Sequence, residues 1–295
     1  MQRRAFIMAA SLTPWAGAAW AEGKKNRDKP SQALEQALRA VETRVGGRLG
    51  VAALDTGSGR LALHRGDERF ALCSTFKLLL AAQVLRRVDQ GAERLDHRIA
   101  YTPADLVEYS PVTGKHAQGD GMTVGELCEA AMVLSDNTAA NLLLARQGGP
   151  EALTAWVRSL GDRHTRLDRN EPGLNDVPPG DERDTSTPLA MLHTLQAVAL
   201  GEALSPASRE RLQGWMLGNR TGDKRLRAGM PQGWRIGEKT GTGPRGTSND
   251  IGVLWPIGRA PVVLVCYLTG SPGTAAQRDA AIAEVARRVA AWVTA

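Results

Sequence analysis

In "CSTFK", residues 73–77, a serine stands three positions before a lysine at the mouth of an apolar run. On a helix that spacing puts Ser74 and Lys77 on one face, where an amine can take a hydroxyl proton and leave a nucleophile. A serine at the helix start would also feel the positive end of the helix dipole, which favours the alkoxide developing during attack. A second cation nearby would push Lys77 toward the neutral form that a base needs. Taken alone, the same letters equally describe an N-cap serine followed by a solvated lysine.

Two other clusters have chemical content. Ser135-Asp136-Asn137 lies between Leu134 and "TAANLLLA", and "KTGTG" (239–243) ends a strand-like run. In the second, Lys239, the hydroxyls of Thr240 and Thr242, and glycines that permit close backbone approach would suit a substrate carboxylate and carbonyl. In isolation the first is also a cap and turn, and the second a turn after an edge strand. The five histidines, His64, His97, His116, His164 and His193, show no ligand spacing, so the sequence implies no metal and no cofactor.

The elements that must position these groups are legible around them. Ser31 is expected to cap a helix with Leu34, Leu38, Val41 and Val45 on one face, stopped by Gly46-Gly47. "LGVAAL" and "RLALH" flank the turn residues 55–59, which predicts a hairpin. From about Ser74 to Met216 the readable elements are helical. Thr123 and Glu126 form a capping box, and Thr187-Pro188 and Ser205-Pro206 each place proline at a first helical position. Strand-like runs return at 234–239, 248–255 and 260–268, and a final helix carries Ile282, Val285, Val289 and Trp292 on one face. The fold class is therefore α+β: a helix-backed antiparallel sheet of five strands, built from both chain ends, with an inserted all-α domain. The expected division is 22–68 with 219–295 for the α/β body and 69–218 for the helical body. One stretch resists assignment. Residues 161–187 are crowded with charge, proline and glycine and are too long for a simple connector, which marks a functional loop or disorder.

Residues 1–21 have a basic start, an apolar middle and a small-x-small ending at Ala19 and Ala21, the pattern of an export signal cleaved near Ala21. Arg3-Arg4 resembles a twin-arginine signal, with an ordinary secretory signal as the alternative. The expected location is periplasmic or secreted, without stable membrane insertion, since Pro14 and Gly17 break a short apolar stretch. The formal charge of +6 falls to +2 once Arg3, Arg4 and the basic excess of residues 22–30 are set aside. So small an excess removes nucleic acid as a leading partner. The three cysteines, Cys73, Cys128 and Cys266, form neither a zinc spacing nor a disulfide framework, and free buried thiols are expected.

S-x-x-K, S-D-N and K-T-G, in this order, are the signature of class A β-lactamases and penicillin-binding proteins. "LVEYSPVTGKH", "MTVGELCEAAMVLSDNTAANLLL", "RLDRNEPGLND" and "DERDTSTP" narrow the likeness. The chain resembles the class A serine β-lactamases over essentially everything after the export signal. That resemblance implies hydrolysis of penicillins and cephalosporins by a monomer, through an acyl-enzyme on Ser74. It implies Lys77 as activating amine, Ser135 as proton relay to the leaving nitrogen, and the backbone N–H groups of Ser74 and Thr242 as oxyanion hole. Glu171, with Asn175, would hold and activate the hydrolytic water; whether Glu171 or Lys77 deprotonates Ser74 stays open. Asn137 would bind the substrate's side-chain amide, Tyr109 would stack at the rim, and Lys239, Thr240 and Arg225 would serve the substrate carboxylate, Arg225 rather than Arg227. Arg166 and Asp184 would form the ion pair that closes the loop. Cys128 and Cys73 each match half of a bridge found in some members, but Ala81 and Gly243 occupy the partner positions. Neither bridge should then form, which argues against efficient carbapenem turnover. The rivals are a transpeptidase, which leaves Glu171 and Asn175 unexplained, and a drug sensor, which would lack the glutamate.

Overall fold

The computed structural model describes residues 29–295, so the expected export signal lies outside the described residues. Helix α1 (Lys29–Val45) buries Leu34, Leu38, Val41 and Val45, the expected face. Ser31 does not cap it. It sits inside the first turns, where Trp292 Nε1 donates to its hydroxyl at 3.1 Å, because the helix has already begun by Lys29. Gly46 and Gly47 then turn the chain with φ of 71° and 79°. A Cβ on Gly47 would stand 2.4 Å from the Thr269 carbonyl, so only glycine passes here.

Strands β1 (Arg48–Asp55) and β2 (Leu61–His64) form the predicted hairpin. Three more strands, β7 (Arg235–Gly243), β8 (Thr247–Trp255) and β9 (Val262–Thr269), complete an antiparallel sheet in the order β2-β1-β9-β8-β7. Alternation along β9 builds two cores. Val262, Leu264, Cys266 and Leu268 face α1 and the C-terminal helix α8 (Ala275–Thr294), whereas Val263, Val265 and Tyr267 face the helical block. The second core runs without a break from the sheet into the helices, so the two bodies expected from the sequence share one apolar interior.

The helical block comprises α2 (Phe76–Asp89), α3 (Val124–Val133), α4 (Asn137–Gln147), α5 (Gly149–Ser159), α6 (Pro188–Ala199) and α7 (Pro206–Leu217). All ten residues of α2 from Phe76 to Leu85 are buried, as expected of a helix enclosed on every side. Lys77 is the one charged residue in that run. The caps are those read from the sequence: Thr123 and Glu126 make both halves of a capping box, and Thr187 and Ser205 cap the proline-led helices. Two-residue ladders pin the connections. β4 (Arg98–Ile99) pairs with β5 (Met122–Thr123), and β3 (Phe70–Ala71) pairs with β6 (Thr185–Ser186). The β3–β6 ladder carries the end of the irregular loop to the segment that leads into Ser74.

Candidate active site

The site lies where edge strand β7 crosses the start of α2. Ser74 is not the helix N-cap. It sits in a 3-10 turn, Cys73–Thr75, two residues before α2 begins, and neither element has a side-chain capping bond, the Thr75 hydroxyl turning back to the Leu72 carbonyl at 2.7 Å. The Ser74 hydroxyl is therefore free for other work, and it donates to Glu171 Oε1 at 3.0 Å. Strand β8 steadies the approach to this turn, with Asn249 Nδ2 donating to the Ala71 and Leu72 carbonyls at 2.7 and 3.2 Å. β7 packs tightly on it: a Cβ on Gly241 would stand 2.9 Å from the Leu72 carbonyl.

Lys77 Nζ is wholly buried and donates to the Ser135 carbonyl (2.7 Å) and Asn137 Oδ1 (2.6 Å), and pairs with Glu171 Oε1 (3.0 Å). These three close acceptors occupy its three donors, one of them shared with Ser135 Oγ at 3.4 Å, and none is Ser74. The shared helical face expected of Ser74 and Lys77 brings no direct hydrogen bond between them: the amine turns toward α4 and the loop, and the carboxylate takes the serine. Burial lowers the Lys77 pKa, against the opposing charge of Glu171. Lys239 Nζ, equally buried, donates to Ser135 Oγ and to the Thr240 carbonyl, both at 2.9 Å. Burial, then the charge of Lys77, holds it well below the ordinary lysine range. Ser135 Oγ thus accepts from Lys239 and, at 3.4 Å, from Lys77, leaving its own proton to give.

The backbone supports this arrangement at some cost. Cys73, Tyr109, Ser135 and Asp184 all have positive φ, a conformation disfavoured for residues with a side chain. Asp136 secures the corner: it caps α4 through Ala139 N and accepts from the backbone of Val112 and Thr113 and from the Thr113 hydroxyl. That fixes the segment carrying Tyr109, which is 56% exposed at the rim. Asn137 Nδ2 donates to the Glu108 carbonyl, and its N–H to Tyr109 O.

Glu171 is held from several sides. Asn175 Nδ2 donates to Oε2 at 2.5 Å, while Asn175 Oδ1 is buried with no protein partner. Asn141, which the sequence reading missed, clasps the backbone of Glu171 at both ends: Oδ1 accepts from its N–H and Nδ2 donates to its carbonyl, each at 2.9 Å. Its one signal was a position four after Asn137, on the same face of α4.

The expected Arg166–Asp184 pair is a second correction. Arg169 pairs with the wholly buried Asp184 at 2.6 Å, and Arg166 pairs with Asp168 at 2.5 Å. The carboxylates are then laced through the backbone: Asp184 Oδ1 accepts from the N–H groups of Asp168 and Arg169, and Asp168 Oδ2 from Asp184 N. Arg166 contributes its N–H to the Thr185 carbonyl. The loop is closed by two side-by-side pairs.

The expected donors to an oxyanion, the N–H groups of Ser74 and Thr242, belong to the 3-10 turn and to β7. "KTGTG" lies within β7 rather than beyond it, since pairing continues to Gly243↔Thr247. Beneath it, Arg225 donates to the Gly241 and Asn249 carbonyls and to Thr242 Oγ1 (2.7 Å), and pairs with Asp279 at 2.8 Å. It reaches the site through the Thr242 hydroxyl. Arg227 turns away to Glu238. Thr240 shares a hydrogen bond with Thr221. Cys73, Cys128 and Cys266 are free and buried, and a Cβ on Gly243 would stand 2.8 Å from Cys73 Sγ. Among the described residues, no three His, Cys, Asp or Glu side chains gather as metal ligands, and no helix is long and apolar enough to cross a membrane.

A half-buried serine on a buried lysine–glutamate pair, facing a second serine–lysine pair at the seam of a sheet and a helical block, defines a serine acyl-transfer site. Comparison with known proteins identifies the family. Residues 33–293 match the model of the beta-lactamase enzyme family. Beta-lactamase OXY-2 of Klebsiella oxytoca is 47% identical over 97% of both chains, and beta-lactamase L2 of Stenotrophomonas maltophilia is 49% identical over 90% of this chain and 89% of its own. The solved structure of an ancestral class A beta-lactamase is 65% identical, covers 87% of this chain and 98% of its own, and superposes with a TM-score of 0.86. The chain belongs to the beta-lactamase enzyme family, and within it to class A, the serine enzymes.

Proposed function

We propose that the chain hydrolyses the cyclic amide of penicillins and cephalosporins through an acyl-enzyme on Ser74, and so confers resistance to these drugs. The observation that carries this reading is the 3.0 Å hydrogen bond from Ser74 Oγ to Glu171 Oε1, an oxygen that also lies 3.0 Å from Lys77 Nζ. Ser74 attacks the lactam carbonyl while its proton passes to Glu171, and the Ser74 and Thr242 N–H groups receive the oxyanion. As the C–N bond breaks, Ser135 gives its proton to the ring nitrogen, driven by the two ammonium groups beside it. Lys77 then gives a proton to Ser135 across 3.4 Å and takes the one on Glu171 across 3.0 Å, which restores all three groups. In the second half, Glu171 takes a proton from a water that also donates to the unpartnered Asn175 Oδ1, that water attacks the ester, and Glu171 returns the proton to Ser74 as the ester bond breaks.

Lys239 and Thr240 hold the substrate carboxylate, with Arg225 acting through Thr242; Asn137 and Tyr109 meet the substrate's side chain. Arg169, Asp184, Arg166 and Asp168 hold Glu171 in place. The division at residues 69 and 218 belongs to the same reading, as do a monomeric state, action on small molecules without nucleic acid or cofactor, and periplasmic location after cleavage near Ala21. The test is hydrolysis of a chromogenic cephalosporin by purified protein, with Ser74→Ala beside it. Turnover should fall by a factor of about 10⁴ or more; turnover that survives the substitution sinks the mechanism.

A further inference from the structure

Directly beneath the substrate-facing strand lie two carboxylates that the reaction does not use. Glu238 on β7 is in register with Gly252 on β8, and Asp250 stands two residues before Gly252, so the two are diagonal neighbours on one face of the sheet. Both are wholly buried. Each has one oxygen committed: Arg227 Nε donates to Glu238 Oε1 at 2.9 Å, and Leu226 N to Asp250 Oδ2 at 3.1 Å. The remaining oxygens, Glu238 Oε2 and Asp250 Oδ1, are buried with no other partner. Gly222 leaves room for the glutamate, since a Cβ there would stand 2.2 Å from its Oε1.

The surrounding charges do not balance two carboxylates. Arg227 and Asp223 face Glu238; Arg225 and Lys239 lie near Asp250, whose cross-strand neighbour on β9 is the Cys266 thiol. Arg225 is bound to Asp279, Gly241, Asn249 and Thr242 and donates nothing to Asp250. Two carboxylates in one dry site, with one direct cation, cannot both ionise cheaply.

We propose that Glu238 and Asp250 hold a single proton between Oε2 and Oδ1 at neutral pH, and that this proton preserves the positive field of Arg225 beside them and of Lys239 on the far side of the strand. Glu238 and Asp250 are then positioning residues. Burial first, and then the charge of Glu238, raises the Asp250 pKa well above the aspartate range; burial also raises Glu238, opposed by Arg227. A value raised in the folded state favours folding at low pH, and the contribution is lost as pH rises through it. Losing the proton also adds a negative charge behind Lys239, so KM for an anionic β-lactam rises on the alkaline side.

The kinetic half of this inference rests on the proposed function; the spectroscopic half does not. Infrared spectra of the full chain at neutral pH should show the carbonyl stretch of a protonated carboxylic acid that disappears in Asp250→Asn, with Glu238→Gln as a second variant should the first fail to fold. The Tm of Asp250→Asn minus that of the unaltered chain should be smallest near pH 4 and grow as pH rises, and the alkaline rise in KM should be lost. A chain without activity but with the band refutes the hydrolase reading and keeps the proton. Absence of the band, its persistence in both variants, or a pH-independent Tm difference overturns the shared proton.

Discussion

Ser74 and Glu171 are 97 residues apart in the chain, yet the serine hydroxyl donates to the carboxylate at 3.0 Å. The base that the resting geometry offers to Ser74 is therefore Glu171, because every donor of Lys77 is spent on Ser135, Asn137 and Glu171 itself. Glu171→Gln should slow acylation by about 10²-fold or more, read as the burst phase with a chromogenic cephalosporin. An unchanged burst rate would assign the acylation proton to Lys77.

The two loop arginines should behave differently. Arg169→Ala strips the buried Asp184 of its cation, at a cost of about 2 kcal/mol or more in loop stability. Arg166→Ala loosens a more exposed pair and should cost about 1 kcal/mol or less. Limited proteolysis within residues 166–184 measures both. Equal susceptibility would contradict the pairing seen here.

Acid should loosen the same loop. Burial raises the Asp168 pKa, but the hydrogen bonds from Arg166 and Asp184 N outweigh it and hold the value below the aspartate range. A depressed folded value contributes stability above the unfolded value and loses it as pH falls through the folded one, here below about pH 4. Amide exchange in the loop should accelerate in that window in the unaltered chain. Asp168→Asn should remove most of the change; an identical acid response in the variant would exclude Asp168 as the cause.

All three thiols should be silent in the native state. Burial raises the pKa of Cys73, Cys128 and Cys266, and none is bridged. A chromogenic thiol reagent should find three groups after denaturation without reductant and none before. Fewer than three on denaturation would reveal a bridge.

Much of the frame was readable because its signals are local. The faces of α1 and α8, the β1–β2 hairpin and the caps at Thr123, Thr187 and Ser205 depend on neighbours a turn or a strand away. The motif residues were readable through resemblance, and the fold gathers Ser74, Lys77, Ser135, Glu171 and Lys239 into one cluster. What escaped depends on pairing between distant segments. The choice of Arg169 over Arg166 is made by where the β3–β6 ladder sets Asp184, and nothing in an aperiodic loop announces it. The Asn141 clasp required knowing which face of α4 meets the loop. The Glu238–Asp250 contact required the β7–β8 register.

The central claim is a covalent intermediate on Ser74 that Glu171 releases. Glu171→Ala protein mixed with a cephalosporin and weighed intact tests it most directly. The account predicts a long-lived adduct that forms slowly and is absent from the Ser74→Ala/Glu171→Ala double variant. Free turnover by Glu171→Ala with no adduct, or an adduct that survives loss of Ser74, would contradict it.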